Sequence, residues 1–244
     1  MANNVCGSSI ARTLAVTVCN PAVGVLINGK RWACSNLERE GIFCANPKDY
    51  GALFQFARKG DGHELRTSPR HPTDDNSNEE GVVAYSGLDA QGQVLSSHAA
   101  YGKFIKSSVS SYIWCQRPEI TNWNSGTETT PAKASYDPCP TGWRVPTGAE
   151  LQSLMDSGYE WGIMNGIIGG YFGSGANSIF LSAAGSRYYA NGEVQGIGEL
   201  GSYWCSRATL GVNPGGHNLV FQNENVFIWG SYFAYGMSVR CVAE

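Results

Sequence analysis

The clearest alternation of apolar and polar positions lies near the C-terminal end of the chain. Val226 and Ile228 suit the inward face of a strand. The two-residue period of a strand then places Asn225, Phe227 and Trp229 on the opposite face. This pattern leaves two interpretations open: a strand buried on both faces, or a strand whose outward aromatic residues contact a ligand.

The aromatic residues continue beyond this strand. Val239 and Cys241 form a second inward pair at the spacing of a strand. Tyr232, Phe233 and Tyr235 consequently fall on the connection between the two strands. Aromatic side chains on a turn commonly contact a partner, so this connection is the first candidate for a binding site.

Two earlier segments carry strong local signals. The pair Asn28-Gly29 predicts the turn of a hairpin over Gly24–Ala33. Thr147, with Glu150 three residues later, predicts a capping box and a helix over Pro146–Asp156. A helix followed by short strands predicts an α+β fold. The later strands are predicted over Ile179–Ala183, Tyr203–Ser206, Asn218–Phe221, Val226–Trp229 and Ser238–Val242.

The remaining stretches are less regular. Residues 13–18 alternate weakly and predict a strand within an N-terminal extension, residues 1–22, ahead of one domain over residues 23–244. Residues 46–56 permit either a helix or a strand. Residues 58–78 are polar and rich in Gly, Pro, Asp and Asn, which predicts a long loop on the surface.

That predicted loop contains an acidic run, Asp74–Glu80. Its carboxylate and amide oxygens are of the type that a calcium ion prefers. The run lacks the glycine and the closing glutamate of an EF-hand loop, so a solvated loop is the favoured interpretation and a structural calcium the minority one. No other cofactor or metal is predicted.

Composition and charge exclude some classes of partner. The net charge is −3, and the basic residues are scattered along the chain, so the sequence offers no basic stripe for a nucleic acid. No apolar run approaches the length of a membrane span, and the first residues show no signal peptide.

The chain contains eight cysteines and four histidines, without the spacing of a zinc site. Disulfides are the favoured interpretation. Cys6 with Cys19, and Cys34 with Cys44, are close enough in sequence to clip local hairpins. Free buried thiols are the alternative, since sequence alone does not fix the connectivity.

Several motifs together resemble the Fibrobacter succinogenes major paralogous domain family. They keep the family's order over about residues 25–242. The resemblance implies a C-type-lectin-like fold, that is, a compact α+β domain of short twisted antiparallel strands with one or two helices. The matching segments are Asn28–Ala33, Asp137–Thr147, Ala183–Tyr188, Gly201–Ser206 and Ser238–Val242.

The resemblance also implies roles for framework residues. Cys139 and Cys241 match the cysteines of two family motifs, and a bridge between them would close a loop of roughly 100 residues. Trp143, Arg144 and Arg240 lie in the same motifs and are expected to pack and to form hydrogen bonds within the scaffold.

The chain departs from the family at its outward C-terminal positions, where members typically carry asparagines. In variable proteins of diversity-generating retroelements with this fold, adenine-directed mutagenesis converts such asparagine codons into Tyr, Phe, Ser or Gly. The resemblance therefore implies a variable binding surface over about residues 186–236. The residues predicted to bind a ligand are Tyr188, Tyr189, Asn223, Asn225, Phe227, Trp229, Ser231, Tyr232, Phe233 and Tyr235.

These expectations describe a non-enzymatic protein that binds a protein or a glycan on a target cell, in a virion or at a cell surface, with its oligomeric state open. The alternative is a secreted bacterial carbohydrate-binding, adhesin or pilus-tip domain. A third hypothesis is a thiol enzyme of the formylglycine-generating type, based on Cys205 with His217 as its base. No motif supplies the pair of reactive cysteines that such an enzyme needs. Two simpler interpretations of Cys205 are a small buried residue and a disulfide partner of Cys115.

Overall fold

The computed structural model describes residues 19–20, 23–73, 81–107, 112–210 and 214–244. Short strands dominate, with one α-helix, α1 (Gly148–Asp156), in these ranges. None of the helices described there is long and apolar enough to cross a membrane. The strands are β1 (Val25–Ile27), β2 (Lys30–Trp32), β3 (Leu37–Arg39), β4 (Ile42–Phe43), β5 (Phe54–Gln55), β6 (Arg70–His71), β7 (Phe104–Ile105), β8 (Trp143–Arg144), β9 (Tyr159–Met164), β10 (Ile167–Ser174), β11 (Asn177–Ser182), β12 (Ala184–Arg187), β13 (Val194–Ile197), β14 (Gly201–Thr209), β15 (Gly215–Gln222), β16 (Asn225–Ser231), β17 (Gly236–Met237) and β18 (Val242–Ala243).

The predicted α+β, C-type-lectin-like fold is wrong. Strands account for 39% of the chain and helices for 7%, and the strands are distributed over several sheets. Part of the reason is the glycine-rich stretch Gly162–Gly175, which forms the second half of β9 and the whole of β10. Gly169 and Gly170 lie where an added Cβ would meet neighbouring atoms at 2.3 Å and 2.7 Å, so glycine permits close strand packing there.

The largest sheet has seven strands in the order β16-β15-β14-β12-β17-β5, with β13 on β12. A four-stranded sheet, β1-β2-β18-β8, joins both ends of the described chain, and β11-β10-β9 form a third sheet. Successive residues of β14 belong to two different cores: Trp204 lies in one, and Tyr203 and Cys205 lie in the other. The large sheet is therefore buried on both faces at its centre.

Both strong local predictions are confirmed. Asn28 and Gly29 have φ values of 47° and 76° between β1 and β2, as a tight hairpin turn requires. Before α1, the Thr147 hydroxyl accepts from the Glu150 N–H, and the Glu150 carboxylate accepts from the Thr147 N–H at 2.9 Å. This is the predicted capping box, although the helix begins two residues after Pro146.

Two other predictions need correction. The predicted strand Ser238–Val242 is interrupted, because β17 ends at Met237 and β18 begins at Val242. The predicted surface loop over residues 58–78 instead buries Arg58, His63 and Glu64. Arg58 and His63 both pair with the Asp61 carboxylate, and both also form hydrogen bonds with Gln55, outside the segment. The predicted strand over residues 13–18 and the acidic run over residues 74–80 lie outside the described residues.

Two disulfides are present. Cys139 and Cys241 form the bridge that the family resemblance implies, across 102 residues. Cys19 is bonded to Cys34, so the predicted local pairing of Cys34 with Cys44 is wrong and Cys44 is a buried free thiol. Cys6 lies outside the described residues, and the predicted pair with Cys19 is excluded by the Cys19–Cys34 bond.

A buried framework surrounds Arg240, the residue next to the Cys139–Cys241 bridge. Its guanidinium donates to the Asn36 side-chain oxygen at 2.8 Å and to the carbonyls of Ala33, Cys34 and Phe180. Burial lowers the pKa of Arg240 to about 10, which leaves it charged at neutral pH. These hydrogen bonds hold the Arg240 side chain in place within the segment between β17 and β18 that interrupts the predicted strand.

Candidate binding surface

The outward face of β16 carries two exposed aromatic rings. Phe227 and Trp229 are 37% and 62% exposed, and their ring centroids lie 6.0 Å apart at nearly right angles. Val226 and Ile228 point the other way and pack against the second core. The alternation predicted for this strand is confirmed, and the interpretation of a strand buried on both faces does not hold at β16.

Five tyrosines form a continuous group of rings on the surface near the end of β16. We call this group, Tyr112, Tyr188, Tyr189, Tyr232 and Tyr235, the tyrosine cluster. All five are half-buried. The predicted site residues Tyr188, Tyr189, Tyr232 and Tyr235 are therefore brought together from two segments.

The backbone explains why these segments meet. Tyr188 and Tyr189 follow β12, and Tyr232 and Tyr235 lie between β16 and β17. β12 and β17 are hydrogen-bonded neighbours, with Arg187 opposite Gly236. Because the two strands are antiparallel, the segment after β12 and the segment before β17 lie at the same end of the sheet.

Sequence reasoning missed the fifth tyrosine, Tyr112. Its ring stacks on Tyr232 with centroids 4.1 Å apart, and its carbonyl accepts a hydrogen bond from the Ala234 N–H. Tyr112 has a φ of 48°, an uncommon conformation for a bulky residue that is often retained at functional sites. No sequence motif signalled it, because it lies about 120 residues before Tyr232.

Within the cluster, the rings mainly contact each other. Tyr189 lies at the centre, with centroids 4.9 Å from Tyr112, 4.5 Å from Tyr188 and 4.9 Å from Tyr235. The Tyr188 hydroxyl donates to the Tyr189 hydroxyl at 3.3 Å, and this hydrogen bond together with burial raises the pKa of Tyr189. Burial raises the pKa of Tyr235 to about 12. The hydroxyls of Tyr189 and Tyr235 are therefore protonated at neutral pH and can each donate a hydrogen bond to a partner.

Phe233 is not part of this surface, and its prediction as a ligand-binding residue is wrong. It is fully buried and stacks on Phe56, with ring centroids 4.9 Å apart. The Phe233 carbonyl accepts from the Phe56 N–H, and the Ala234 carbonyl accepts from the Gln55 side chain at 2.9 Å. The turn after β16 is too tight for a strict alternation, so one of its rings enters the core and supports the tyrosines above it.

The other predicted site residues lie away from the tyrosine cluster. Asn223 and Asn225 are exposed at the opposite end of β16, in the turn from β15. The seven residues of β16 extend about 20 Å, at roughly 3.3 Å per residue. Ser231 is half-buried opposite Gly216, at the tyrosine end of the strand. The predicted set is therefore divided between two ends of one strand.

The arrangement around Cys205 does not provide a reactive thiol. Cys205 is fully buried, and burial raises the pKa of its thiol to about 12. Its sulfur contacts the backbone carbonyl of His217 at 3.2 Å, whereas the His217 ring pairs with the Thr209 hydroxyl. Cys115 and Cys205 are both free and buried, so the alternative of a bond between them is wrong and the alternative of a small buried residue is confirmed for Cys205. A thiolate nucleophile needs a low pKa and a base directed at the sulfur, and neither is present here.

Asp61, His63 and Glu64 are close enough to suggest a metal site, with ligand atoms within 4.8 Å of one another. Their hydrogen bonds are already used within the protein. His63 Nε2 accepts from the Gln55 N–H at 3.0 Å, and its Nδ1 lies 2.8 Å from Asp61, which also pairs with Arg58. Burial lowers the pKa of His63, so the ring is neutral and both of its nitrogens are occupied. The cluster is a structural network.

Comparison with known proteins gives no relative from which a function could be transferred: no protein-family model, no curated protein and no solved structure matches the chain.

Proposed function

We propose that the protein is a non-enzymatic binding protein that recognises another protein through the tyrosine cluster, extended along β16 by Phe227 and Trp229. The observation that carries this proposal is the packing of five half-buried tyrosine rings against one another at the surface. Such rings present a large contact area at a small cost in side-chain entropy, which is why tyrosine is enriched at protein interfaces.

The support beneath the rings favours a preorganised surface. Phe233 and Ala234 are fully buried and anchor the turn that carries Tyr232 and Tyr235. The Ser107 N–H donates to the Tyr189 carbonyl and fixes the other segment. A surface whose backbone is held before binding loses less conformational entropy on association, so a larger part of the contact energy appears as affinity.

The chemistry of the cluster favours a protein over a small charged ligand. Its members are uncharged, and the hydroxyls of Tyr112, Tyr232 and Tyr235 form no hydrogen bond with any described residue. They offer apolar ring faces with polar tips, the combination that dominates binding hot spots. A group of five rings from three segments is also broader than the pocket of one small molecule.

The alternation of inward and outward side chains along β16 supports diversification of the exposed positions. Phe227 and Trp229 alternate with Val226 and Ile228, which pack against the second core, and Tyr232 precedes the fully buried Phe233. Substitution of the outward residues is therefore expected to disturb the core less than substitution of the inward ones. We propose that these positions were diversified by a retroelement and that the protein acts in a virion or at a cell surface. The two disulfides support an oxidising environment. An adenine-rich near-copy of these codons beside the gene is the expected genetic trace.

A random peptide library displayed on phage tests the binding surface. Peptides selected on the wild-type protein should bind the double variant Tyr188→Ser, Tyr232→Ser at least about 100-fold more weakly, as expected for two hot-spot rings. Tyr85→Ser is the matched control, because Tyr85 is a 65% exposed tyrosine outside the cluster. Selected peptides that bind the double variant and the wild type equally would contradict the proposal.

A further inference from the structure

A second candidate site lies at the opposite end of β16 from the tyrosine cluster. It is an open cleft of about 530 Å³ between β9 and the turn that joins β15 and β16. We call it the Trp161 cleft. Its principal lining side chains are Trp161, Glu199, Gln222, Asn223, Glu224 and Asn225.

The strand β9 explains how an aromatic ring comes to line this cleft. Tyr159, Trp161 and Ile163 share one face of the strand because they are two residues apart. Tyr159 is covered by the turn, and its hydroxyl donates to the Gln222 carbonyl at 2.9 Å, whereas Ile163 is 65% exposed. Trp161 lies between them and is half-buried. One edge of its indole packs on Phe221, with ring centroids 6.3 Å apart, which fixes the ring at the boundary of the core.

Polar side chains line the rest of the cleft, and all of them are exposed to solvent. Among the described residues, the side chains of Glu199, Gln222, Asn223, Glu224 and Asn225 have no hydrogen-bond or ion-pair partner. Three amides supply both donors and acceptors, and two carboxylates supply acceptors. This mixture matches a ligand that carries many hydroxyl groups, since each hydroxyl both donates and accepts.

Charge narrows the class of ligand further. Two carboxylates and no basic side chain line the cleft, so its potential is negative. Phosphates, sulfates and carboxylated sugars are repelled there, because like charges at short range are unfavourable. A neutral ligand with one apolar face and several hydroxyl groups remains.

We propose that the Trp161 cleft is a binding site for a neutral saccharide, with one sugar ring stacked on the indole of Trp161 and its hydroxyl groups bound by the amides and carboxylates of the β15–β16 turn. This site is separate from the tyrosine cluster and does not depend on the proposed recognition of a protein. Its volume suits a ligand of one or a few sugar rings and not a long polymer chain.

The test is a printed glycan array that carries neutral oligosaccharides of glucose, galactose, mannose, xylose and N-acetylglucosamine, together with sialylated and sulfated glycans. Binding confined to neutral glycans is the expected result. Isothermal titration calorimetry with the best-retained neutral glycan should then show that Trp161→Ala weakens binding about tenfold or more, because the stacking surface is lost. Binding of sialylated or sulfated glycans alone, or of no glycan, would overturn the proposal.

Two further variants keep the test decisive if Trp161→Ala does not fold. Asn223→Ala combined with Asn225→Ala removes two exposed amides from the cleft and should also weaken binding about tenfold, without a change in the core. Ile163→Ala is the matched control on the same face of β9, outside the lining residues, and should change the affinity less than about twofold. Unchanged binding by the double asparagine variant would overturn the proposal. The Tyr188→Ser, Tyr232→Ser variant should retain the glycan, which separates this site from the tyrosine cluster.

Discussion

The framework around Arg240 and the tyrosine cluster use polar side chains in opposite ways. In the framework, the Arg240 guanidinium donates to the Asn36 side chain, and together the two side chains donate to five backbone carbonyls; both residues are fully buried. In the tyrosine cluster, the five hydroxyls form one hydrogen bond with described residues, the one between Tyr188 and Tyr189. A closed network stabilises one conformation, whereas open hydrogen-bonding capacity on ordered rings is available to a partner. The comparison predicts that changes to the first region cost stability and changes to the second cost binding.

The largest expected effect on the framework is the loss of the Cys139–Cys241 bridge. The double variant Cys139→Ser, Cys241→Ser should lower the free energy of unfolding by about 4.7 kcal/mol, because the bridge closes a loop of 102 residues. Urea unfolding followed by tryptophan fluorescence measures it. The matched variant Cys19→Ser, Cys34→Ser opens a 15-residue separation and should cost about 3 kcal/mol. Equal losses would show that loop length does not govern the stabilisation.

The pair Phe233 and Trp229 tests the boundary between core and surface directly. Phe233→Ala should lower the free energy of unfolding by about 3–5 kcal/mol, since it leaves a cavity beside Phe56. Trp229→Ala should change it by less than about 0.5 kcal/mol, because the ring is 62% exposed. Its cross-strand neighbour Asn218, which has no side-chain partner among the described residues, would also become hydrated. A loss of more than about 2 kcal/mol on Trp229→Ala would place that ring in the core.

A smaller effect is expected at the start of α1. Thr147→Ala removes the hydroxyl that accepts from the Glu150 N–H and should cost about 1 kcal/mol of the free energy of unfolding. Chemical unfolding measures the change. Gln152→Ala, at an exposed position of the same helix, serves as the control and should alter stability by less than about 0.5 kcal/mol. If both variants behave alike, the capping box contributes nothing specific.

The last prediction about stability concerns acidic pH. Burial opposes ionisation of Glu150, but hydrogen bonds from Arg144, Lys30 and the Thr147 N–H outweigh it and hold the pKa at about 2, below the ordinary value of 4.5. Because the folded-state pKa is depressed, the contribution of Glu150 is fully present above pH 4.5 and is lost as the pH falls through about 2. The difference in free energy of unfolding between wild type and Glu150→Gln should therefore shrink as the pH is lowered from 4.5 to about 2. A difference independent of pH would show that the carboxylate charge is not responsible.

These residues also show what a sequence can predict. The capping box, the Asn28-Gly29 turn and the alternation in β16 depend on neighbours a few residues apart, and the structure has all three. The prediction that Phe233 binds a ligand is wrong because the sequence does not show which ring of a connection enters the core. Tyr112 could not be found, since its contact with Tyr232 arises only when distant segments meet.

The prediction of the fold class is wrong for a similar reason. The motif resemblance predicted the local framework around Cys139 and Cys241, and the bridge is present, but motifs do not determine how many strands form between them. The glycine-rich stretch that became β9 and β10 has no strong strand signal, and its close packing is visible only in three dimensions. The Trp161 cleft likewise depends on β9 and could not be predicted.

One measurement tests the central claim most directly. A peptide is first selected for binding to the wild-type protein, and its dissociation constant is then measured with two variants at adjacent positions, Tyr232→Ala and Phe233→Leu. The claim is that Tyr232 belongs to the binding surface and Phe233 to its support. Tyr232→Ala should raise the dissociation constant about 30-fold or more, and Phe233→Leu, measured where it is fully folded, should raise it less than about threefold. Equal effects, or a larger effect of Phe233→Leu, would contradict the division of this strand and turn into core and binding residues.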